Sequence, residues 1–172
     1  MSENRALAFV NRSHPHTMKD DFRTPKYLFH YIDSRFSIEY DGACVEGINN
    51  LAQPLRLEGS WPIGSTVYSN PPYDADSITK WFEKGERHKA EGGVHIMLIP
   101  NKLSQVFMSE MLPKFDEIIF LGGRVNFDSP YAVKGGASMS GSVITRQGGI
   151  PAPKVRSVLL RDLKTRYQKV IQ

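Results

Sequence analysis

The chain has 172 residues, 40% of them hydrophobic and 23% charged, which suits one globular domain with a substantial core. No apolar run approaches the roughly 18 residues that cross a bilayer, Met1-Ser2-Glu3-Asn4-Arg5 shows no signal-peptide pattern, and Cys44 is the sole cysteine. An intrachain disulfide and a cysteine-based zinc cluster are therefore excluded, a reducing cytoplasm is expected, and the net charge of +4 gives mild support to a polyanionic partner.

Residues 1–18 read as a polar, flexible arm. Within it, His14 and His16 straddle Pro15 with no carboxylate or third histidine nearby, so no metal site is expected. Thr24 suits a helix N-cap and Pro25 the first helical position. Tyr27, Leu28, Tyr31 and Ile32 then share one face, which predicts a helix over 25–35. Phe36, Ile38 and Tyr40 alternate with polar residues, which predicts a strand over 36–40 ending at Asp41-Gly42. A second helix is expected over 44–52, and a weakly structured connection from Pro54 to Gly64.

Thr66-Val67-Tyr68 reads as a short strand that runs into Asn70-Pro71-Pro72-Tyr73. The paired prolines forbid a helix start and make the loop stiff. A helix over 76–89 follows, with Ile78, Trp81 and Phe82 inward, and Gly92-Gly93 stops it. Val94 to Ile99 is the most apolar run of the chain, as expected of a strand buried on both faces of a parallel sheet. A helix over 104–112, a strand over 117–121, a turn over 122–127 and a strand over 142–145 come next. Residues 155–170 read as a helix, or as a strand followed by a helix. The cations Lys154, Arg156, Arg161, Lys164, Arg166 and Lys169 crowd this end, within a basic segment over 150–172. The alternation predicts an α/β fold with a mostly parallel sheet and helices on both faces. Ligands of such sheets sit at the carboxyl ends of strands, where Asp41-Gly42 and Asn70 to Tyr73 both fall.

The tetrapeptide is the segment with chemistry in it. The Asn70 side-chain oxygen and the Pro71 carbonyl are acceptors on a rigid loop, and Tyr73 adds a flat aromatic face. Together they suit a planar base with an exocyclic amino group. The lone pair of such a nitrogen is delocalised into its ring. Two acceptors on its hydrogens favour tetrahedral geometry and stabilise developing positive charge. With an activated methyl donor, positioning for in-line attack supplies most of the rest.

Asn70-Pro71-Pro72-Tyr73 resembles motif IV of the amino methyltransferases. The wider chain resembles the phage-type Dam family of DNA adenine-N6 methyltransferases. The likeness covers about 20–146 and rests on an ordered set of segments. These are the Thr24-Pro25 helix, the strand from Phe36 into Asp41 to Cys44, an asparagine at 49 or 50, the tetrapeptide, Gly123-Arg124-Val125-Asn126-Phe127, and the Gly/Ser-rich stretch from Gly135 to Ile144. The resemblance implies a Rossmann-like methyltransferase sheet, S-adenosylmethionine as cofactor and double-stranded DNA as partner, in the cytoplasm of a bacterium or a phage-infected host. It implies that Asn70, Pro71, Pro72 and Tyr73 are catalytic, and that Thr24, Pro25, Asp41, Ala43, Cys44 and Asn70 meet the cofactor. Arg124, Asn126, Lys134 and Arg146 are the expected DNA contacts.

One departure stands out: Asp41-Gly42-Ala43-Cys44 replaces the glycine-rich loop that many methyltransferases carry after the first strand. Physics alone leaves cytosine N4, RNA or a protein glutamine amide open as acceptor. It also leaves open a methyltransferase-like protein that binds DNA without catalysis. His95 and Trp61 read as core residues, Phe127 leans the same way, and nothing in the sequence sets an oligomeric state.

Overall fold

A computed structural model describes residues 23–43, 52–101, 104–128, 140–149, 151 and 154–167. The expected helix over 44–52 apart from Ala52, with Cys44, Asn49 and Asn50, lies outside these residues, as do Lys134, residues 135–139 of the Gly/Ser-rich stretch, His14 and His16. In chain order the elements are α1 (Lys26–Phe36), β1 (Tyr40–Asp41), β2 (Gln53–Pro54), β3 (Thr66–Ser69), α2 (Ala75–Ala90), β4 (Val94–Pro100), a π-helix (Phe107–Met111) running into a 3-10 turn (Leu112–Lys114), β5 (Glu117–Gly122), β6 (Ser142–Gln147), β7 (Val155–Leu159) and α3 (Leu160–Tyr167).

The seven strands form one sheet in the order β2-β1-β3-β4-β6-β5-β7. The pairs β1–β2, β1–β3, β3–β4 and β5–β7 are parallel, while β6 is antiparallel to both β4 and β5. The expectation of a mostly parallel sheet is thereby corrected to a mixed sheet. Its cause is β6, which enters from the edge where β4 and β5 end; there Asn101 N–H donates to the Gly141 carbonyl at 2.8 Å.

The apolar run of β4 does what its composition demands. Ile96 and Leu98 face one core with Tyr68, Ile119, Leu121 and Ile144, beneath α1 and α3. Met97 and Ile99 face the other with Val67, Ile118 and Val143, beneath α2 and the π-helix. Helices thus cover both faces, and each fully buried side chain of this size is worth about 1.5–3 kcal/mol. Among the described residues, no helix is long and apolar enough to cross a membrane.

Two of the differences from expectation bear on the site. Residues 36–40 do not form a strand. Phe36 is the last residue of α1, and Ser37 turns the chain in the left-handed region at φ 53°. Asp33 closes that turn twice, its carbonyl accepting from Ser37 N–H and its Oδ1 from Ile38 N–H. Only Tyr40–Asp41 then pairs as a strand. The second difference is at the start of α1, where Pro25 is the N-cap and no side chain caps the helix. Thr24 points its hydroxyl elsewhere.

Candidate active site at the carboxyl edge of the sheet

The short β1 and β3 lie side by side and parallel, with Asp41 opposite Tyr68. Gly42 N–H extends this pairing to the Tyr68 carbonyl at 2.7 Å. Asp41 and Asn70 therefore leave the sheet from neighbouring strands, at the same edge. Gly42 is required by the closeness: a Cβ there would stand 2.9 Å from Ser69 Oγ and 3.0 Å from the Trp81 ring. A short, bulk-free turn takes the place of the glycine-rich loop.

Asp41 is 3% exposed. Its Oδ1 accepts from Ala43 N–H at 3.1 Å, and its carbonyl from Leu55 N–H at 2.8 Å, which joins the turn to the end of β2. Burial pushes the carboxyl up to about 7, partly opposed by the Ala43 hydrogen bond.

The Asn70 loop is held at both ends. Ser69 is fully buried behind it, while Asp74 caps α2 just ahead of it, Oδ1 accepting from Ser77 N–H at 2.8 Å. Pro71 is buried, and Asn70, Pro72 and Tyr73 are half-buried. Tyr73 OH donates to Asn70 Oδ1 at 2.9 Å, and its ring meets Phe127 edge-on at 5.8 Å. Burial pushes the Tyr73 hydroxyl pKa upward, so it stays a donor.

Thr24 is buried, and its Oγ1 lies 2.6 Å from Tyr68 OH. The residue expected to cap α1 instead ties the chain ahead of that helix to β3. The opening of α1 carries no acidic residue in its first turn.

Behind the loop runs a buried polar chain that the sequence did not reveal. Gln147 Nε2 donates to Phe82 O and Glu86 Oε1, which leaves Gln147 Oε1 to accept from His95 Nδ1 at 3.2 Å. His95 Nε2 then accepts from Ser69 Oγ at 3.0 Å. Burial lowers the His95 pKa to about 3 and keeps the ring neutral. His95 is a core residue, as expected, wedged between Trp61 and Trp81. Trp61 is itself packed at 5% exposure.

The structure separates the expected DNA contacts. Arg124 and Asn126 are exposed on the segment between Gly122 and Phe127, which reaches Tyr73 through Phe127. Arg146 is not near them. It is 4% exposed at the opposite edge, its Nε donating to Glu117 Oε2 at 3.2 Å and its Nη1 to the Gly148 carbonyl. Asn101 was not singled out from sequence, yet it follows β4 at the carboxyl edge of the sheet with Oδ1 buried and no hydrogen-bond partner among the described residues. Among the described residues no group of three His, Cys, Asp or Glu side chains could hold a metal ion.

An acidic turn and an Asn-Pro-Pro-Tyr loop on adjacent parallel strands of an α/β sheet are the features of an amino methyltransferase. The family model described as DNA N-6-adenine-methyltransferase (Dam) matches residues 11–166, and the chain belongs to this family. No curated protein matches it.

Proposed function

We propose that this chain, acting as a single methyltransferase domain, transfers a methyl group from S-adenosylmethionine to N6 of an adenine extruded from double-stranded DNA. The observation that carries the reading is that Asp41 and the Asn70 loop end adjacent parallel strands at the same edge of the sheet, with Tyr73 hydrogen-bonded to Asn70.

The residues present fit the cofactor. Asp41 offers a buried carboxylate for its hydroxyl or ammonium groups, and Gly42 and Ala43 let backbone approach it without bulk. The uncapped start of α1 after Thr24-Pro25 offers backbone N–H groups to its carboxylate. Cys44, next in sequence, is a further cofactor contact. When bound, the sulfonium supplies an already activated methyl group, so no strong general base is needed.

The remaining work belongs to the protein. N6 is shielded within stacked duplex DNA, so the adenine must leave the stack. Tyr73 presents ring surface to it, backed edge-on by Phe127, which is a core residue at 5% exposure. Asn70 Oδ1, which accepts from Tyr73, and the Pro71 carbonyl take the two amino hydrogens. These acceptors localise the nitrogen lone pair and stabilise charge as the N–C bond forms. Pro72 holds the loop rigid. Arg124 and Asn126, on the segment that follows β5, meet the DNA together with Lys134; Arg146 does not, because Glu117 engages it at the far edge.

Incubating plasmid DNA with the protein and labelled S-adenosylmethionine, then mapping N6-methyladenine by sequencing, tests the reading. Label is expected on adenine N6. Asn70→Ala should abolish it while calorimetry still shows cofactor binding. No cofactor binding at millimolar concentration would refute the proposal.

A further inference from the structure

The C-terminal cations look like one cluster in the sequence, but the fold divides them. Arg156 Nε is bound to Glu117 Oε1 at 2.8 Å, and Lys154 Nζ to the Pro113 carbonyl at 3.1 Å. Both sit at the edge where β5 and β7 begin. Arg161 and Lys164 sit at the other end, on α3, beyond the residues where β5 and β7 finish in register, Gly122 opposite Leu159.

There a groove forms with Arg124 on one wall and Arg161 and Lys164 on the other. Its floor is glycine for a reason. A Cβ on Gly122 would lie 2.6 Å from Leu159 Cδ2, and Gly123 has φ +116°, closed to ordinary side chains. The two glycines let the end of β5 press against the start of α3, so that Arg124 emerges beside Arg161. No carboxylate lines the groove among the described residues. Asp162 touches Arg161 from outside at 3.3 Å, with both side chains mostly in solvent at 65% and 82% exposure, so it neutralises little. Lys164 Nζ is steadied over the Tyr27 ring at 5.6 Å.

The groove adjoins the candidate active site. β5 and β7 run in the direction of β3, because β6 is antiparallel to both β4 and β5. Arg124 is three residues from Phe127, whose ring touches Tyr73. We infer that this groove holds the sugar-phosphate backbone of duplex DNA beside the Asn70 loop, with Arg124, Arg161 and Lys164 neutralising its phosphates. The inference rests on the proposal that the substrate is DNA and adds the surface that grips it. Contacts of this kind position the duplex and read no sequence.

The test is a salt titration of duplex DNA binding by the full chain, with methylation kinetics alongside. The logarithm of the binding constant falls with log salt by about 0.9 for each phosphate neutralised. Arg161→Gln/Lys164→Gln should therefore flatten the slope by about 2. Its KM for DNA should rise about tenfold or more, with kcat at saturating DNA within about twofold and cofactor affinity unchanged. Arg161→Gln alone removes a mostly solvated side chain and should flatten the slope by about 1, whatever the double variant does to folding. Arg161→Lys should restore it, and Lys80→Gln, exposed on α2, should leave slope and KM as they were. If the wild type methylates DNA but the Arg161 variant keeps its slope and KM, the groove assignment falls and the methyltransferase reading stands. If kcat falls with KM and slope unchanged, the groove is not a backbone site. A wild type that neither binds nor methylates duplex DNA overturns both.

Discussion

Tyr73 donates its hydroxyl to the side-chain oxygen of Asn70 at 2.9 Å, so the aromatic residue of the tetrapeptide also aims its acceptor. Ring and hydroxyl have separable tasks. Tyr73→Phe keeps the ring against Phe127 and removes one hydrogen bond, worth about 0.5–1.5 kcal/mol. A drop in kcat of about tenfold or less is expected. Tyr73→Ala also removes the stacking surface and should lose on the order of 100-fold or more in kcat/KM, since stacking on an aromatic side chain is worth about 1–3 kcal/mol beyond the hydrogen bond. Single-turnover methylation separates the two. Equal losses from both variants would show that the ring contributes nothing.

Asp41 connects pH to both stability and cofactor affinity. Its pKa of about 7 in the folded chain lies above the ordinary carboxylate value of 3.8. As pH rises from about 4 to about 7, the unfolded chain gives up this proton while the folded chain retains it. The group therefore destabilises the fold progressively across that window, and its cost is complete above about pH 7. A cofactor that donates hydrogen bonds to the carboxylate favours the ionised form. Affinity for S-adenosylmethionine should thus rise with pH toward about 7 and level off above it, with proton release below. Asp41→Asn should bind more weakly, lack that rise, and have a higher Tm at pH 8. Calorimetry in buffers of different ionisation enthalpy counts the protons. An unchanged pH profile in Asp41→Asn would remove Asp41 from the cofactor site.

The parts of the fold legible in the sequence were those set by local pattern. The apolar run of β4 alternates between two cores, and the helix signal after the tetrapeptide became α2, with Trp81 and Phe82 buried. The tetrapeptide's position at a strand end followed from the same reading. What failed was pattern without partners. Phe36, Ile38 and Tyr40 alternate like a strand, but Asp33 closes a helix end through them. Ser142 to Thr145 is a strand signal with no direction, and its antiparallel insertion between β4 and β5 is a property of topology. Charge was least legible. Arg146 and Arg124 look alike as residues in a basic chain, yet one is buried on Glu117 and the other is exposed near Phe127. Only the distant glutamate distinguishes them.

Thr24 and Tyr68 are 44 residues apart and share a 2.6 Å hydrogen bond in a buried setting. The bond holds the entry to α1 against β3, next to Asp41. Thr24→Val leaves a fully buried phenol without its partner, at a cost of about 1–3 kcal/mol. Tyr68→Phe should cost a similar amount, and the double variant less than the sum, because one interaction is lost once. Urea denaturation of the four proteins checks this. The α1 entry would also loosen, so cofactor affinity should fall in step with stability. Strict additivity would mean the two hydroxyls do not interact.

Glu117 is 1% exposed and binds three guanidinium groups, from Arg35 on α1, Arg146 on β6 and Arg156 on β7. Arg35 and Arg156 are partly solvated, at 27% and 39%, and contribute less. Arg146, at 5%, depends on the carboxylate, and its Nη2 is already buried without a partner. Glu117→Gln should therefore destabilise the fold by about 3 kcal/mol or more, as removing one partner of a buried ion pair does. Replacing both members with apolar residues, Glu117→Leu/Arg146→Met, should recover much of that loss, because no charge is left in the interior. The same variants discriminate between the two arginines. Arg146→Met should lower stability without changing the salt dependence of DNA binding, whereas Arg124→Gln should flatten that dependence by about 1 and leave stability within about 0.5 kcal/mol. If Arg146→Met flattened the salt slope while the fold stayed intact, duplex DNA would have to reach the edge of the sheet opposite Asn70.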